Sequence, residues 1–428
     1  QCFTDQILED PQLPYTQELV HSLLLNDELT MKRIINGTVV GPNQLHPAHQ
    51  VIIEGGSIRA ILPMDAAVPN SSNGQSEEII DAAGGLVAPG IIDIHSDYIE
   101  HMAAPRPTSL MDFKLAVHEL ERELLTHGIT TTYHSLSFYG ATEFPDKAIR
   151  LPENTRRFVE LIDAIRKKSR LIHHRFHARF EIDSLDRVEE LEQYICDRKV
   201  HLLSFMDHTP GQGQYWNLEE FRKAVKGFRR VSDAEIDVMI AESQSKAKLT
   251  TDAISELSAL AKEVGIAVAS HDDDSPAKLE LNRQLGMDIS EFPINMETAL
   301  RAREMNFHTV GGAPNILLGG SHTGNLSAAE AVLAGAVDIL CSDYYPASLL
   351  HSVFVLHENF GIKLSDAFRL VSLNPAKAVR AEERIGSLEP GKDADVLIIK
   401  RLEDGFPAVQ RAFIGGVESL RTEYRSGN

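Results

Sequence analysis

A histidine and an aspartate stand two residues apart where an apolar run ends, at His95 and Asp97. The run before them, residues 89–94, is bounded by Pro and Gly and predicts a buried strand. Side chains at positions i and i+2 of a strand face the same side, so this imidazole and this carboxylate can converge beyond the strand's carboxyl end. Together they form a ligand pair for a divalent metal. The alternative is a surface histidine followed by a turn aspartate.

Several other strand-like segments end in the same residue types. The side chains at these ends that are candidate metal ligands are Glu181, His208, His271 and Asp343. With the first pair they provide six nitrogen and oxygen ligands, which suit Zn²⁺, Mn²⁺ or Fe²⁺. A catalytic zinc usually keeps three protein ligands and a water. Six ligands therefore favour two metal ions, bridged by a carboxylate and a hydroxide.

Each of these residue types also has an ordinary structural explanation. An aspartate after a strand is commonly a helix N-cap or a turn residue, which would account for Asp207 and for residues 272–274. A histidine at a strand end is more often hydrogen-bonded in the core than bound to a metal. We assign four histidines to that class: His173, His174, His177 and His201. The coincidence of several histidines and a late aspartate at strand ends favours ligands for the rest.

The elements that must position these residues alternate through the middle of the chain. Strands are predicted at residues 90–95, 130–135, 171–181, 200–207, 266–271, 287–292, 309–312 and 339–343. Between them, apolar residues recur at intervals of three and four, which predicts amphipathic helices. This α/β pattern is typical of a (β/α)₈ TIM-like barrel, whose active site lies at the carboxyl ends of the strands. Extra helical pattern at residues 221–247 predicts one enlarged loop.

Both ends of the chain are rich in short β-like segments separated by glycine turns. We expect residues 31–88 and 376–428 to form one small β-sandwich domain, and residues 89–375 to form the barrel. Residues 1–30 are polar, contain Pro11 and Pro14, and lack the features of a signal peptide. We therefore expect them to be an extension outside the core fold.

The composition limits the class of function. A chain of 428 residues with 43% hydrophobic content can bury a large core and form more than one domain. Its net charge of −20 argues against general nucleic-acid binding. Three cysteines form no C-x-x-C pair, and no apolar run reaches transmembrane length, so we expect a cytoplasmic protein. The sequence leaves a homo-oligomer open.

Longer motifs resemble those of the amidohydrolase superfamily. They are Pro-Gly-x-x-Asp-x-His at residues 89–95, a late Asp on the last strand, and a Gly-rich signature at residues 386–396. Further runs resemble the PhnM-type α-D-ribose 1-methylphosphonate 5-triphosphate diphosphatases of phosphonate metabolism. These lie at residues 95–97, 105–107, 127–131, 206–212, 269–273, 312–316, 319–325, 342–350 and 374–376. The resemblance extends from Met31 to about residue 420.

This resemblance implies roles for the candidate ligands. The positions that match metal ligands are His95, Asp97, Glu181, His208, His271 and Asp343. Glu181 matches a carboxylate that bridges the two metals. Asp343 matches an aspartate that binds metal and, as general base, accepts the proton of the attacking water. The implied reaction converts the 5-triphosphate to ribose 1-methylphosphonate 5-phosphate and pyrophosphate.

A triphosphate ester also needs contacts beyond the metals. The amides of the Gly-rich loop at residues 319–325 could cradle an anion before the next helix, and arginines could bind phosphate bidentately. The candidate substrate contacts are Arg106, Arg179, Gly320, Ser321, His322, Tyr344 and Tyr345. The alternatives are structural ion pairs for the arginines and loop packing for the tyrosines.

Two other functions are alternatives to the diphosphatase. One is an amidohydrolase that acts on a cyclic amide or an amino-substituted ring, and the other is a scaffold that binds metal or phosphonate without catalysis. The aspartate at position 97 and the Gly-Gly-Ser-His run argue against the first. The complete set of six ligands argues against the second.

Overall fold

The computed structural model describes residues 31–68, 77–106, 109–139, 148–168, 170–215, 217–228, 231–319 and 326–425. The described residues divide into two compact units, residues 31–89 with 387–425, and residues 90–386. The sequence-based boundary assigned residues 376–386 to the terminal unit, whereas the structure assigns them to the barrel unit. Ala376 and Ala378 are buried in the core of the barrel unit, which explains the difference. The predicted extension, residues 1–30, lies outside the described residues.

The terminal unit is a mixed sheet of eight strands from both ends of the chain. Its strands are β1 (Met31–Val40), β2 (Leu45–Glu54), β3 (Ser57–Pro63), β4 (Glu77–Asp81), β5 (Leu86–Pro89), β14 (Val396–Arg401), β15 (Pro407–Ile414) and β16 (Val417–Arg421). They hydrogen-bond in the order β16-β15-β14-β5-β1-β2-β3, with β4 also paired to β1. Side chains from most of these strands, including Ile34, Val51, Val396 and Phe413, form one buried cluster.

The second unit contains eight parallel strands in sequential order. They are β6 (Ile91–Ser96), β7 (Ile129–Phe138), β8 (His173–Glu181), β9 (Leu202–Met206), β10 (Ala267–His271), β11 (Ile289–Glu291), β12 (His308–Gly312) and β13 (Ile339–Cys341). Each overlaps one predicted strand, so the (β/α)₈ prediction is confirmed. These segments are buried along nearly their whole length, as strands covered by helices must be.

The barrel closes where its first and last strands meet. Ser96 and Asp343 form a parallel bridge, the Asp343 amide donates to the His95 carbonyl at 3.1 Å, and the Asp97 amide donates to the Asp343 carbonyl at 3.0 Å. These two backbone hydrogen bonds join the rim ends of β6 and β13. The closure therefore places the first-strand His and Asp beside the last-strand Asp, although about 250 residues separate them in the chain.

Helices cover the barrel strands, and in the described residues they lie at Tyr98–Ala103, Phe113–Thr126, Pro152–Ile165, Val188–Cys196, Leu218–Phe228, Asp233–Ser245, Thr251–Glu263, Pro276–Gln284, Met296–Glu304, Ala313–Leu318, Ala328–Leu333, Ser348–Phe360, Leu364–Arg369 and Leu373–Ala378. Two of them, Leu218–Phe228 and Asp233–Ser245, form the enlarged connection predicted between β9 and β10. None of the helices in the described ranges is long and apolar enough to cross a membrane.

Candidate active site

All six predicted ligands lie at the carboxyl ends of barrel strands. His95 lies near the end of β6, while Glu181 and His271 are the last residues of β8 and β10. The other three, Asp97, His208 and Asp343, follow β6, β9 and β13 within two residues. All six are buried or half-buried at this rim.

His208 and Glu181 form a direct pair. The Nδ1 atom of His208 hydrogen-bonds to Oε1 of Glu181, and its Nε2 atom lies 3.7 Å from Oδ2 of Asp272. Burial by itself lowers the pKa of His208, but the two carboxylates outweigh it and raise the pKa above its ordinary value. Burial raises the pKa of Glu181, but His208, Arg179 and His271 together outweigh this effect and bring the pKa below its ordinary value. Each group therefore favours the charged form of the other, an imidazolium at His208 and a carboxylate at Glu181.

Within the described residues, the protein leaves the side chain of His271 poorly satisfied. It is buried, and neither of its ring nitrogens has a hydrogen-bond partner in the described structure. Nδ1 lies 2.9 Å from Oδ2 of Asp272, but without the geometry of a hydrogen bond. Buried polar atoms of this kind are rare because leaving them unpaired costs free energy. An imidazole with both nitrogens unpaired is suited to binding a metal.

Two sets of side chains at this rim can each place their ligand atoms within 4.8 Å of one another. One set is His95, His271 and Glu291, and the other is His208, His271 and Asp272. His271 belongs to both sets. Imidazole nitrogens and carboxylate oxygens are the ligands of Zn²⁺, Mn²⁺ and Fe²⁺ in proteins. The residues present therefore fit divalent metal ions.

Asp97 does not belong to either set, although its position in the sequence pairs it with His95. Its Oδ2 atom lies 4.0 Å from Nη1 of Arg179 and 3.9 Å from Nη2 of Arg150. Arg150 also donates from Nε to Glu100 at 2.8 Å and from Nη1 to the hydroxyl of Tyr139 at 3.2 Å. Positive charge therefore lies beside the carboxylates at this side of the rim.

Asp343 has a strained backbone and an unusual environment. Its φ angle is 56°, in the left-handed region that only Asn, Asp and Gly adopt with ease. Burial raises the pKa of its carboxyl to about 7, with a further contribution from the charge of Asp97. The same left-handed conformation occurs at Asp272, with a φ of 52°. Strain of this kind is often found at functional sites, where the surrounding structure holds it in place.

Two cavities lie at this rim, and they contain some of the predicted substrate contacts. The first, of about 170 Å³, is lined by His95, Arg179, His271, Asp343 and Tyr344, among others. The second, of about 300 Å³, is lined by Asp97, Arg106 and Tyr344. Tyr345 lines neither of these cavities, and its side chain is 52% exposed. Gly320, Ser321 and His322 lie outside the described residues.

Comparison with known protein families identifies the chain. Residues 86–418 match the amidohydrolase family. The chain belongs to the amidohydrolase family. This match includes the motifs at residues 89–95 and 386–396 and confirms their resemblance to the superfamily.

Two characterised relatives align with most of this amidohydrolase. The alpha-D-ribose 1-methylphosphonate 5-triphosphate diphosphatase of Escherichia coli (strain K12) is 32% identical over 356 residues, covering 82% of this chain and 91% of the relative. The imidazolonepropionase of Geobacillus kaustophilus (strain HTA426) is 25% identical over 385 residues, covering 81% of this chain and 82% of the relative. Among solved structures, A. niger ochratoxinase superposes with a TM-score of 0.60 at 15% identity, covering 91% and 95% of the two chains. The likeness to ochratoxinase shows a shared fold alone.

Two members of the candidate ligand sets, Glu291 and Asp272, differ from the ligands expected from the sequence. Glu291 is the last residue of β11 and is fully buried, and it is absent from the ligands expected from the sequence. The rule that identified Glu181, an acidic residue closing an apolar strand, would have found it. Asp272 was assigned to a turn or cap, and the structure places it between His208 and His271.

Proposed function

We propose that this amidohydrolase hydrolyses α-D-ribose 1-methylphosphonate 5-triphosphate to ribose 1-methylphosphonate 5-phosphate and pyrophosphate. The observation that carries the proposal is the 32% identity to the E. coli diphosphatase, which extends over 91% of that enzyme. The proposed substrate is a small polyanion. The proposed role in phosphonate breakdown involves neither nucleic acid nor a membrane. We place it in the cytoplasm, consistent with the free thiols of Cys196 and Cys341.

We propose that the rim holds two divalent metal ions, with zinc as the first expectation and manganese or iron as alternatives. The residues that would hold them are His95, Asp97, Glu181, His208, His271 and Asp343, of which the three histidines belong to the two sets of converging ligand atoms. Such ions lower the pKa of bound water to roughly 7 and neutralise charge on phosphoryl oxygens. The unpaired nitrogens of His271 support this assignment, because the fold itself does not satisfy them.

The chain's own residues then have separate tasks. The carboxylate of Asp343 accepts the proton of a water whose oxygen attacks the α-phosphorus of the triphosphate. The bond between the α-phosphorus and the oxygen that bridges to the β-phosphorus breaks, and pyrophosphate leaves with that oxygen. Without metal ions, burial raises the pKa of the Asp343 carboxyl to about 7, and a bound cation would lower that pKa and keep the carboxylate ionised to accept the proton.

Arg179 is the residue best placed to hold the phosphate groups. Its guanidinium lines the first cavity, and its Nε atom donates to the sulfur of Met206 at 3.3 Å. The neighbouring carboxylate, Asp97, lies at 4.0 Å, too far for a direct hydrogen bond. A guanidinium in this position can offer its remaining N–H groups to a phosphate in a planar, bidentate contact. On a chain with a net charge of −20, local positive charge is needed to admit a polyanion.

The test is product analysis with purified, metal-replete protein. We expect pyrophosphate release from ribose 1-methylphosphonate 5-triphosphate, with the α-phosphate retained on the ribose in the phosphorus NMR spectrum. Release of single phosphates instead would contradict the position of attack. A parallel panel of cyclic amides and amino-substituted rings tests the alternative amidohydrolase activity, and turnover there without pyrophosphate release would replace the proposal.

A further inference from the structure

A continuous chain of buried hydrogen bonds crosses the barrel and ends at His95. Its members, in order, are Ser135, His177, Ser204, Glu291 and His95, on strands β7, β8, β9, β11 and β6. The four links measure 2.9 Å, 2.5 Å, 2.5 Å and 2.8 Å. Each of the five side chains is at most 1% exposed. A polar chain inside a barrel is stable only if its donors and acceptors all match.

The carboxylate of Glu291 determines the direction of every link, because it accepts hydrogen bonds at both oxygens. Ser204 donates to Oε2 of Glu291, so the Ser204 oxygen accepts from Nε2 of His177. Nδ1 of His177 then accepts from the hydroxyl of Ser135. On the other side of the carboxylate, Nδ1 of His95 must carry the proton that it donates to Oε1. The network therefore selects one tautomer of His95, with an unprotonated Nε2.

A second contact fixes the plane of the same ring. The side chain of Phe292, which follows Glu291, meets the His95 imidazole edge to face with ring centroids 5.0 Å apart. Phe292 has a φ of 54°, which is strained for an aromatic residue and keeps its ring beside the site. Two consecutive residues, the last of β11 and the one that follows it, thus hold both the tautomer and the orientation of His95.

We propose that Glu291 is a positioning residue, which presents Nε2 of His95 to the metal and is itself held by the Ser135–His177–Ser204 chain. The inference rests on the metal site of the proposed function. It differs from a ligand role for Glu291, which its proximity to His95 and His271 would also allow. Both oxygens of Glu291 are already engaged by Nδ1 of His95 and the Ser204 hydroxyl, and these contacts favour positioning over ligation. Carboxylate partners of metal-binding histidines typically contribute 10–100-fold to metal affinity.

The experiment measures Co²⁺ binding to metal-free protein by visible absorption, independently of turnover. The wild type is compared with Glu291→Gln, Glu291→Ala and Ser204→Ala. A positioning role predicts that Glu291→Ala weakens Co²⁺ binding by about 10–100-fold. Glu291→Gln should retain most of the affinity, because its amide oxygen can still accept from His95. Ser204→Ala should weaken binding by several-fold, because the Ser204 hydroxyl holds Glu291 and Glu291 in turn orients His95.

Two outcomes would overturn the inference. Equal, full loss in Glu291→Gln and Glu291→Ala, with Ser204→Ala unchanged, would make Glu291 a ligand. Wild-type affinity and an unchanged cobalt spectrum in Glu291→Gln and Ser204→Ala would leave Glu291 with a purely structural role. If Glu291→Ala does not fold, the Gln and Ser204 variants decide between the same outcomes. A wild type that binds no cobalt would instead refute the metal site of the proposed function.

The matched control is Asp338→Asn. Asp338 also pairs with an imidazole, accepting from Nδ1 of His308 at 2.9 Å, but it lies before β13, at the opposite end of the barrel from the rim. Removing this carboxylate tests whether loss of any histidine–carboxylate pair disturbs the site through lower stability. We expect the cobalt spectrum and affinity of Asp338→Asn to equal those of the wild type.

Discussion

The carboxylate of Asp343 lies where the first and last barrel strands meet, and its surroundings disfavour its charge. Burial and the neighbouring Asp97 raise its pKa to about 7, while Arg179 opposes that shift. Its backbone is left-handed, so a replacement must tolerate a φ of 56°. Asn tolerates this conformation far better than Ala, which makes Asp343→Asn the cleanest way to remove the base.

We expect Asp343→Asn to lower kcat by ~10²–10⁴, with a much smaller change in KM, because the variant loses proton transfer but keeps the shape of the site. The measurement is steady-state pyrophosphate release together with the midpoint of thermal unfolding. Asp338→Asn, at the other end of β13, is the control and should keep wild-type kcat. A normal kcat in Asp343→Asn, with a lower unfolding midpoint, would show that Asp343 is structural.

Arg179 should act on binding rather than on proton transfer. Charge-assisted hydrogen bonds contribute ~1.5–3 kcal/mol, so Arg179→Met should raise KM by ~10–100-fold if the guanidinium holds a phosphate. Arg175→Met is the control, because Arg175 shares a face of β8 but does not line either of the two rim cavities. Calorimetric binding of pyrophosphate gives a second readout, and equal affinity in both variants would remove Arg179 from the phosphate site.

The strand β6, which carries His95, depends on a close approach of its neighbour at its start. A Cβ atom at Gly90 would lie only 2.0 Å from Oγ1 and 2.6 Å from Cγ2 of Thr130. Thr130 lies on β7, which pairs with β6, so the two strands could not keep their spacing around an added methyl group. Position 90 therefore requires glycine for space, not for an unusual φ angle.

We expect Gly90→Ala to lower the free energy of unfolding by ~1–3 kcal/mol, as overpacking of a core typically does. Gly227→Ala is the matched control, because a Cβ there meets nothing within 4 Å and the residue lies in the helix Leu218–Phe228. Alanine has the higher helix propensity, so the control should be neutral or slightly stabilising. Chemical denaturation of both variants checks this, and equal stabilities would show that β6 and β7 can separate without cost.

At the scale of the whole molecule, the rim gathers carboxylates that repel one another without bound cations. The acidic residues at the rim include Asp97, Glu181, Asp272, Glu291 and Asp343. The negative charges of Asp97 and Asp272 both raise the pKa of Asp343, because they repel its ionised carboxylate. Metal binding should therefore stabilise the folded chain as well as enable catalysis.

We expect two metal ions per chain by elemental analysis, and a lower unfolding midpoint after chelation. An ion present at 100 times its Kd stabilises the folded state by ~2.7 kcal/mol, so restoring zinc should reverse the loss. His208→Asn should reduce the stoichiometry towards one ion and leave the fold intact. Saturation of the fully active wild type at a single ion would contradict the binuclear site and the bridging role assigned to Glu181.

Much of this architecture follows from local features of the sequence. Apolar runs closed by Gly and Pro predicted all eight barrel strands, because strand burial leaves its pattern within a few residues. The position of His95, Glu181, His208, His271 and Asp343 at strand ends was likewise predictable, because all carboxyl ends of parallel strands meet at one rim. The motifs at residues 89–95 and 386–396 were sufficient to indicate the family, which the match over residues 86–418 confirms.

Only the tertiary structure decided which of these side chains meet. Asp97 lies beside Arg179 and Arg150 instead of in a ligand set with its sequence neighbour, because it follows β6 at the point where that strand closes against β13. His271 is shared between two ligand sets, and Glu291 reaches His95 across 196 residues of sequence. Such pairings depend on the closure of the barrel and on side-chain direction across non-adjacent strands. No local pattern encodes those distances, because they are set jointly by all eight strands.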